Sequence, residues 1–106
     1  MSGKIQDLTD STFETAVGTG VSLVDFWAPW CPPCRAQGPI VEKLADSFEG
    51  KAMIAKVNVD EQAAAASKFG VASIPTIVIL KDGKEVKRFV GLRQEDELTA
   101  ALDSLV

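Results

Sequence analysis

The two cysteines of this chain lie three positions apart, where an apolar run meets a helical pattern. The run Val21–Trp27 is rich in β-branched and aromatic residues and predicts a strand, whereas the apolar spacing of residues 40–48 predicts a helix. Cys31 and Cys34 therefore lie in a tight turn between the two. At this separation in a first helical turn, two Cα atoms fall within the roughly 4.4–6.8 Å that a disulfide spans. The pattern predicts a dithiol that closes and opens reversibly.

The position of Cys31 favours ionisation of its thiol. Unpaired backbone N–H groups and the helix dipole stabilise negative charge at a helix N-terminus. The thiolate is the form of cysteine that attacks disulfides. We therefore expect Cys31 to be exposed on the first turn of the helix, with Cys34 one turn deeper.

These residues resemble the thioredoxin family. The resemblance rests on Trp-Cys-x-Pro-Cys-Arg at 30–35, Val-Asp-Phe-Trp at 24–27 and Ser-Ile-Pro-Thr at 73–76, and it extends over nearly the whole chain. It implies an α/β thioredoxin fold, a central five-stranded mixed sheet flanked by four helices, with residues 1–106 as a single domain. It also implies a protein-disulfide reductase that carries electrons by dithiol–disulfide exchange. Thioredoxins usually have Gly where this chain has Pro32.

The resemblance also implies roles for individual residues. Cys31 attacks a substrate disulfide, and Cys34 resolves the mixed disulfide that results. Asp25 lies behind the dithiol and exchanges a proton with Cys34, and Lys56 lies near that acid. The residues expected to bind the substrate chain are Trp30, Ile74, Pro75, Val90 and Gly91. Although most X–Pro bonds are trans, the resemblance implies a cis Ile74–Pro75 bond that faces the dithiol.

Asp25 can also be interpreted without the resemblance. It interrupts an apolar strand between Val24 and Phe26, where poor solvation would raise its pKa and allow it to shuttle a proton near neutral pH. The alternative is a structural acid that pairs with a lysine or reaches water at the end of the strand. The residues alone favour neither alternative.

Trp27, Pro32 and Pro33 are expected to tune the dithiol. Both prolines lack a backbone N–H, so Cys34 is the main-chain donor among the three residues after Cys31. Fewer donors destabilise the thiolate, raise the pKa of Cys31 and favour the disulfide. A residue before proline also resists the helical region, so Pro32 can strain the turn more in one redox state than in the other. The sign of the net effect on the reduction potential stays open.

Strands and helices alternate along the rest of the chain, and this order predicts parallel pairing with an antiparallel edge. Pro39 is expected to lie inside the helix that follows the cysteines and to kink it. Asp60 is expected to cap a helix over residues 61–69. An Asp-Gly turn at residues 82–83 predicts a hairpin between the last two strands.

Composition restricts the classes of function. The 106 residues carry a net charge of −4 and include no His, so we expect neither nucleic acid nor an anionic membrane as a partner. No apolar run reaches the ~18 residues of a membrane span, and residues 1–10 lack the apolar core of a signal peptide, which predicts the cytoplasm. A zinc site would need two ligands besides the cysteine pair. We expect no bound cofactor, only a redox-active Cys31–Cys34 disulfide.

Two other functions are compatible with the fold. A dithiol oxidant or disulfide isomerase would differ in reduction potential, which the residues between the cysteines tune. A non-catalytic binding module would not need the cysteine pair. The absence of His between the cysteines favours a reductase. By resemblance, an NADPH-dependent flavoprotein, thioredoxin reductase, would supply the electrons, proteins with disulfides would accept them, and the chain would act as a monomer.

Overall fold

A computed structural model describes residues 5–106 of the chain. The elements are, in order, β1 (Gln6–Asp7), α1 (Phe13–Val17), β2 (Val21–Trp27), α2 (Pro32–Ser47), β3 (Met53–Asn58), α3 (Ala63–Lys68), β4 (Thr76–Lys81), β5 (Lys84–Val90) and α4 (Glu95–Asp103). The strands form one sheet in the order β1-β3-β2-β4-β5. The first three of these are parallel, and β4 and β5 are antiparallel to their neighbours. The predicted mixed sheet of five strands with four helices is confirmed.

The central strand β2 is covered on both faces, which explains its nearly continuous apolar sequence. Leu23 packs in a cluster with residues of α2 and α4. Val24 and Phe26 pack in a second cluster, on the side of α1 and α3. Because side chains alternate along a strand, Asp25 shares the face of Leu23, which α2 covers. The end of β2 leads directly into the cysteine turn.

Helix α2 continues through Pro39, as predicted, and spans 16 residues. Proline at this position cannot donate a hydrogen bond to the carbonyl of Arg35. On both sides of Pro39 the helix buries one face, which includes Cys34, Val41 and Leu44. The helix therefore joins the cysteine turn to the core in a single element.

The N-terminus of α3 differs from the prediction. We expected a helix that Asp60 caps, but the helix begins at Ala63, and its N-cap residue Gln62 makes no side-chain capping bond. The cap comes from Asp10, whose carboxylate accepts a hydrogen bond from the backbone N–H of Ala65 at 2.8 Å. In return, Gln62 accepts one from the backbone N–H of Asp10 at 2.8 Å. The prediction was wrong because this cap is supplied from a distant part of the chain.

Across residues 5–106, every helix is too short or too polar to cross a membrane.

Candidate active site

Cys31 and Cys34 form a disulfide at the start of α2, just after the end of β2, and their Cα atoms are 5.2 Å apart. Cys31 is the N-cap of α2 and has an extended backbone, with φ −94° and ψ 110°. Each cysteine is only 3% exposed, and both pack with Ala28 and against Trp27 and Ile74. The expectation of an exposed Cys31 on the first helical turn is therefore wrong. Cys31 precedes the helix, and the closed disulfide lies among apolar side chains.

Pro32 and Pro33 occupy the first two positions of α2 and are exposed. Proline suits the first helical position, because an N–H there has no partner within the helix. The extended backbone of Cys31 is the conformation that a residue before proline prefers. Pro32 therefore does not strain the turn in the disulfide form. The backbone N–H of Cys34 donates to the Cys31 sulfur at 3.3 Å.

Asp25 is wholly buried, and neither of its carboxylate oxygens has a hydrogen-bond partner among the described residues. Burial raises the pKa of Asp25 from 3.8 to about 7, although the nearby Lys56 ammonium acts in the opposite direction. Lys56 is the register partner of Asp25 in β3. The Lys56 Nζ lies 4.2 Å from the centroid of the half-buried Trp27 ring. Asp25 thus does not reach water at the end of the strand and has no hydrogen-bond partner among the described residues, and Lys56 is the charged group that acts on its pKa.

Trp30 is the most exposed large apolar residue of the described chain, at 64%. Its indole N–H donates to the carboxylate of Asp60 at 2.8 Å. Asp60 follows the end of β3, and Trp30 follows the end of the neighbouring strand β2. The hydrogen bond therefore joins the segments that follow two adjacent strands. The sequence alone did not indicate this role for Asp60, since the two residues are 30 positions apart.

The Ile74–Pro75 peptide bond is cis, as the resemblance implied. The Cys31 sulfur lies 3.8 Å from the carbonyl oxygen of Ile74. The backbone N–H of Gly91 donates to the carbonyl of Pro75 at 2.8 Å, and Val90 is 52% exposed. The segments around Pro75 and Gly91 therefore meet beside the disulfide, with Ile74 half-buried and Pro75 itself buried.

Gln37 is a polar residue of this region that the sequence patterns did not indicate. It is wholly buried on α2, three residues after Cys34. Its side-chain amide donates to the carbonyl of Arg93 at 3.0 Å and accepts from the N–H of Arg93 at 2.9 Å. The available signal was its spacing: Gln37 continues the buried face that Cys34 and Val41 define. Among the described residues, no three His, Cys, Asp or Glu side chains form a metal-binding group.

Comparisons with known proteins give a consistent result. The sequence model of the thioredoxin family, described as "Thioredoxin", matches residues 4–104. A thioredoxin of Staphylococcus haemolyticus (strain JCSC1435) is 46% identical over 99 residues, which cover 93% of this chain and 95% of the relative. The thioredoxins of Staphylococcus aureus strains Mu50 and MW2 show the same identity and coverage.

Proposed function

This chain belongs to the thioredoxin family and is a thiol–disulfide oxidoreductase, and from this premise we propose that it reduces protein disulfides through Cys31 and Cys34. The observation that carries the proposal is the Cys31–Cys34 disulfide at the N-terminus of α2, with the Cys31 sulfur beside the Ile74 carbonyl. The alternative, a dithiol oxidant or disulfide isomerase, fits less well, because the relatives are thioredoxins.

The proposed cycle transfers two electrons to the substrate. The Cys31 thiolate attacks one sulfur of the substrate disulfide, so that a mixed disulfide forms and one substrate thiolate leaves. Cys34 then loses its proton and attacks the Cys31 sulfur. The second substrate thiolate leaves, and the chain retains the Cys31–Cys34 disulfide. The N–H of Cys34, which reaches the Cys31 sulfur in the closed form, supports the thiolate in the open form.

We assign the proton transfer at Cys34 to Asp25. With a pKa of about 7, this carboxyl is populated in both protonation states near neutral pH, which suits a group that accepts and returns a proton. Its oxygens have no hydrogen-bond partner among residues 5–106 and would accept the proton directly or through a water molecule. Lys56 lowers the pKa of Asp25. Without Lys56 the carboxyl would already be protonated in most molecules at neutral pH, and fewer of them could accept the Cys34 proton.

We propose that the substrate chain binds as an extended segment across Trp30, Ile74, Pro75, Val90 and Gly91. Trp30 and Val90 supply exposed apolar surface, and the backbone around Ile74 lies within reach of the reacting sulfur. An extended chain that pairs with this backbone would use a short form of strand addition. Trp27, which packs against the cysteines, and the exposed Pro32 and Pro33 would tune the reduction potential of the dithiol.

The partners follow from the same assignment. We propose that residues 1–106 act as one domain and as a monomer in the cytoplasm, with an NADPH-dependent flavoprotein, thioredoxin reductase, as electron donor. Proteins with disulfides would be the acceptors. No cofactor would bind this chain, since the cysteine pair itself carries the electrons. The family membership and the net charge of −4 support these assignments.

The roles of the two cysteines can be tested with insulin as the disulfide substrate. Reduced Cys34→Ser should accumulate a mixed disulfide between Cys31 and insulin, because the resolving thiol is missing. Intact-mass spectrometry under non-reducing conditions would detect this adduct, which the wild-type chain should not retain. Cys31→Ser is the matched control and should form no adduct and reduce no insulin. An active Cys31→Ser variant would contradict the proposal.

A further inference from the structure

We propose that Gln37 is a positioning residue that fixes the loop at residues 91–94 relative to the dithiol and so controls reactivity toward protein disulfides. The inference deepens the proposed function and rests on it, because it concerns how the substrate chain is held. Gln37 would act on the substrate-binding surface and not on the sulfur atoms. A substitution of Gln37 should therefore not change the rates of reactions that do not use this surface.

The contact between Gln37 and the loop has a defined geometry. The Gln37 amide makes two hydrogen bonds, and both go to the backbone of one residue, Arg93. Two bonds to one residue fix both the distance and the orientation of the loop, whereas a single bond would let it pivot. Gln37 is wholly buried, so little water can compete for these bonds. This buried amide therefore serves as a rigid attachment between α2 and the loop.

The loop is held between two attachments. At its start, the N–H of Gly91 donates to the carbonyl of Pro75 at 2.8 Å. At residue 93, Gln37 attaches the loop to the helix that carries Cys34. The exposed side chains of Val90 and Leu92, at 52% and 38%, lie beside these attachments. Gln37 thus links the cysteine helix to the exposed apolar surface on which we propose that the substrate lies.

Loss of the amide would leave both backbone groups of Arg93 without these partners. The Arg93 side chain would keep its own contacts, 5.8 Å from the centroid of the Phe89 ring and 3.7 Å from a carboxylate oxygen of Glu97. The loop would remain attached at Gly91 but could shift relative to α2. Because small displacements of positioned groups reduce reaction rates steeply, a protein substrate should react more slowly. A small disulfide, which does not cover the loop, should not.

The test compares two oxidants of the reduced protein. In Gln37→Met, a side chain of similar length removes both hydrogen bonds and keeps helix propensity. Stopped-flow tryptophan fluorescence would give second-order rate constants for oxidation by insulin and by hydroxyethyl disulfide. We expect about a tenfold decrease for insulin and a change of less than about twofold for hydroxyethyl disulfide. The reduction potential should be unchanged, and the Arg93 amide should exchange its hydrogen faster.

Two further variants separate positioning from loss of stability. Val41→Ala makes a cavity on the same buried face of α2 but keeps the Gln37 side chain that bonds to Arg93, so both rate constants should equal those of the wild type. In Gln37→Glu, a protonated carboxyl can reproduce both hydrogen bonds, whereas an ionised one cannot donate to the Arg93 carbonyl. Its insulin rate constant, divided by that of the wild type at each pH, should therefore rise as the pH falls.

The outcomes are distinguishable. Equal rate constants for Gln37→Met and the wild type would overturn the inference, as would equal decreases with both oxidants, which would indicate an effect on the dithiol or on the fold. If Gln37→Met does not fold, an insulin rate ratio of Gln37→Glu that does not change with pH would also overturn the inference. A wild-type chain that does not reduce insulin would instead refute the proposed function, and the inference with it.

Discussion

Pro32 is the residue at which this chain departs from the usual pattern of its family, and its effects can now be separated. The sequence left two opposing effects open, namely the loss of a donor beside Cys31 and strain in the turn. In the disulfide form Cys31 already has an extended backbone, which is the conformation that a residue before proline prefers. Any strain from Pro32 would therefore lie in the dithiol form, where it favours the disulfide, as the loss of a donor does.

We accordingly predict the direction in which Pro32→Gly changes the reduction potential. The new backbone N–H would stabilise the Cys31 thiolate, lower the pKa of Cys31 and favour the dithiol. The reduction potential should rise by on the order of 30 mV, which corresponds to about 1.4 kcal/mol for this couple. Tryptophan fluorescence in glutathione buffers would measure it, since Trp27 contacts the cysteines and Trp30 adjoins them. Pro39→Ala, on the same helix but remote from the sulfurs, is the control, and a fall in potential in Pro32→Gly would contradict the argument.

At the scale of elements, local patterns were sufficient to predict the type and order of the helices and strands. Apolar spacing decides which face of an element is buried, and this information lies within each segment, as in Val21–Trp27. The patterns failed where a residue's partner is distant in the chain. Asp10 caps a helix more than 50 positions away, and Gln37 binds a backbone 56 positions away. The burial of Cys31 was missed for the same reason, since Ile74 helps to cover it.

The long-range cap of α3 leads to a prediction at this scale. Asp10→Ala would remove an acceptor from the backbone N–H groups of Ala64 and Ala65. The free energy of unfolding should fall by about 1 kcal/mol, as it does for the loss of other N-caps. Urea unfolding would measure the change. Because Gln62 returns a bond to Asp10, the double variant with Gln62→Ala should lose less than the sum of the two single losses; exact additivity would argue against a reciprocal cap.

For the whole molecule, the buried acid of the proposed mechanism is a source of instability. Asp25 lies in the central strand without a hydrogen-bond partner in the described chain, and its charged form is poorly solvated there. A core built for stability alone would have an apolar residue at this position. The site and the fold therefore impose opposite requirements on β2. The sequence could show this conflict, because an acid inside an apolar run is visible without a structure.

The conflict predicts how the stability of the whole protein depends on pH. Because the pKa of Asp25 is about 7 in the folded state and 3.8 is its ordinary value, the folded protein keeps a proton that the unfolded chain releases between these values. The free energy of unfolding should therefore decrease as the pH rises from about 4 to about 7, and the total loss should be about 4 kcal/mol. Below this range both states are protonated, and above it the loss is constant.

Asp25→Asn tests this prediction, because an amide does not ionise. We would measure urea unfolding of the oxidised proteins across this pH range. The free energy of unfolding of the variant, relative to that of the wild type, should increase as the pH rises, by about 4 kcal/mol at the plateau. A constant offset from burying an amide would not change this slope, and the other carboxylates act equally in both proteins. Asp103→Asn, which removes an exposed carboxyl, should follow the wild type. Parallel curves for Asp25→Asn and the wild type would mean that Asp25 titrates normally, and it would then be too strong an acid to exchange a proton with Cys34 at neutral pH.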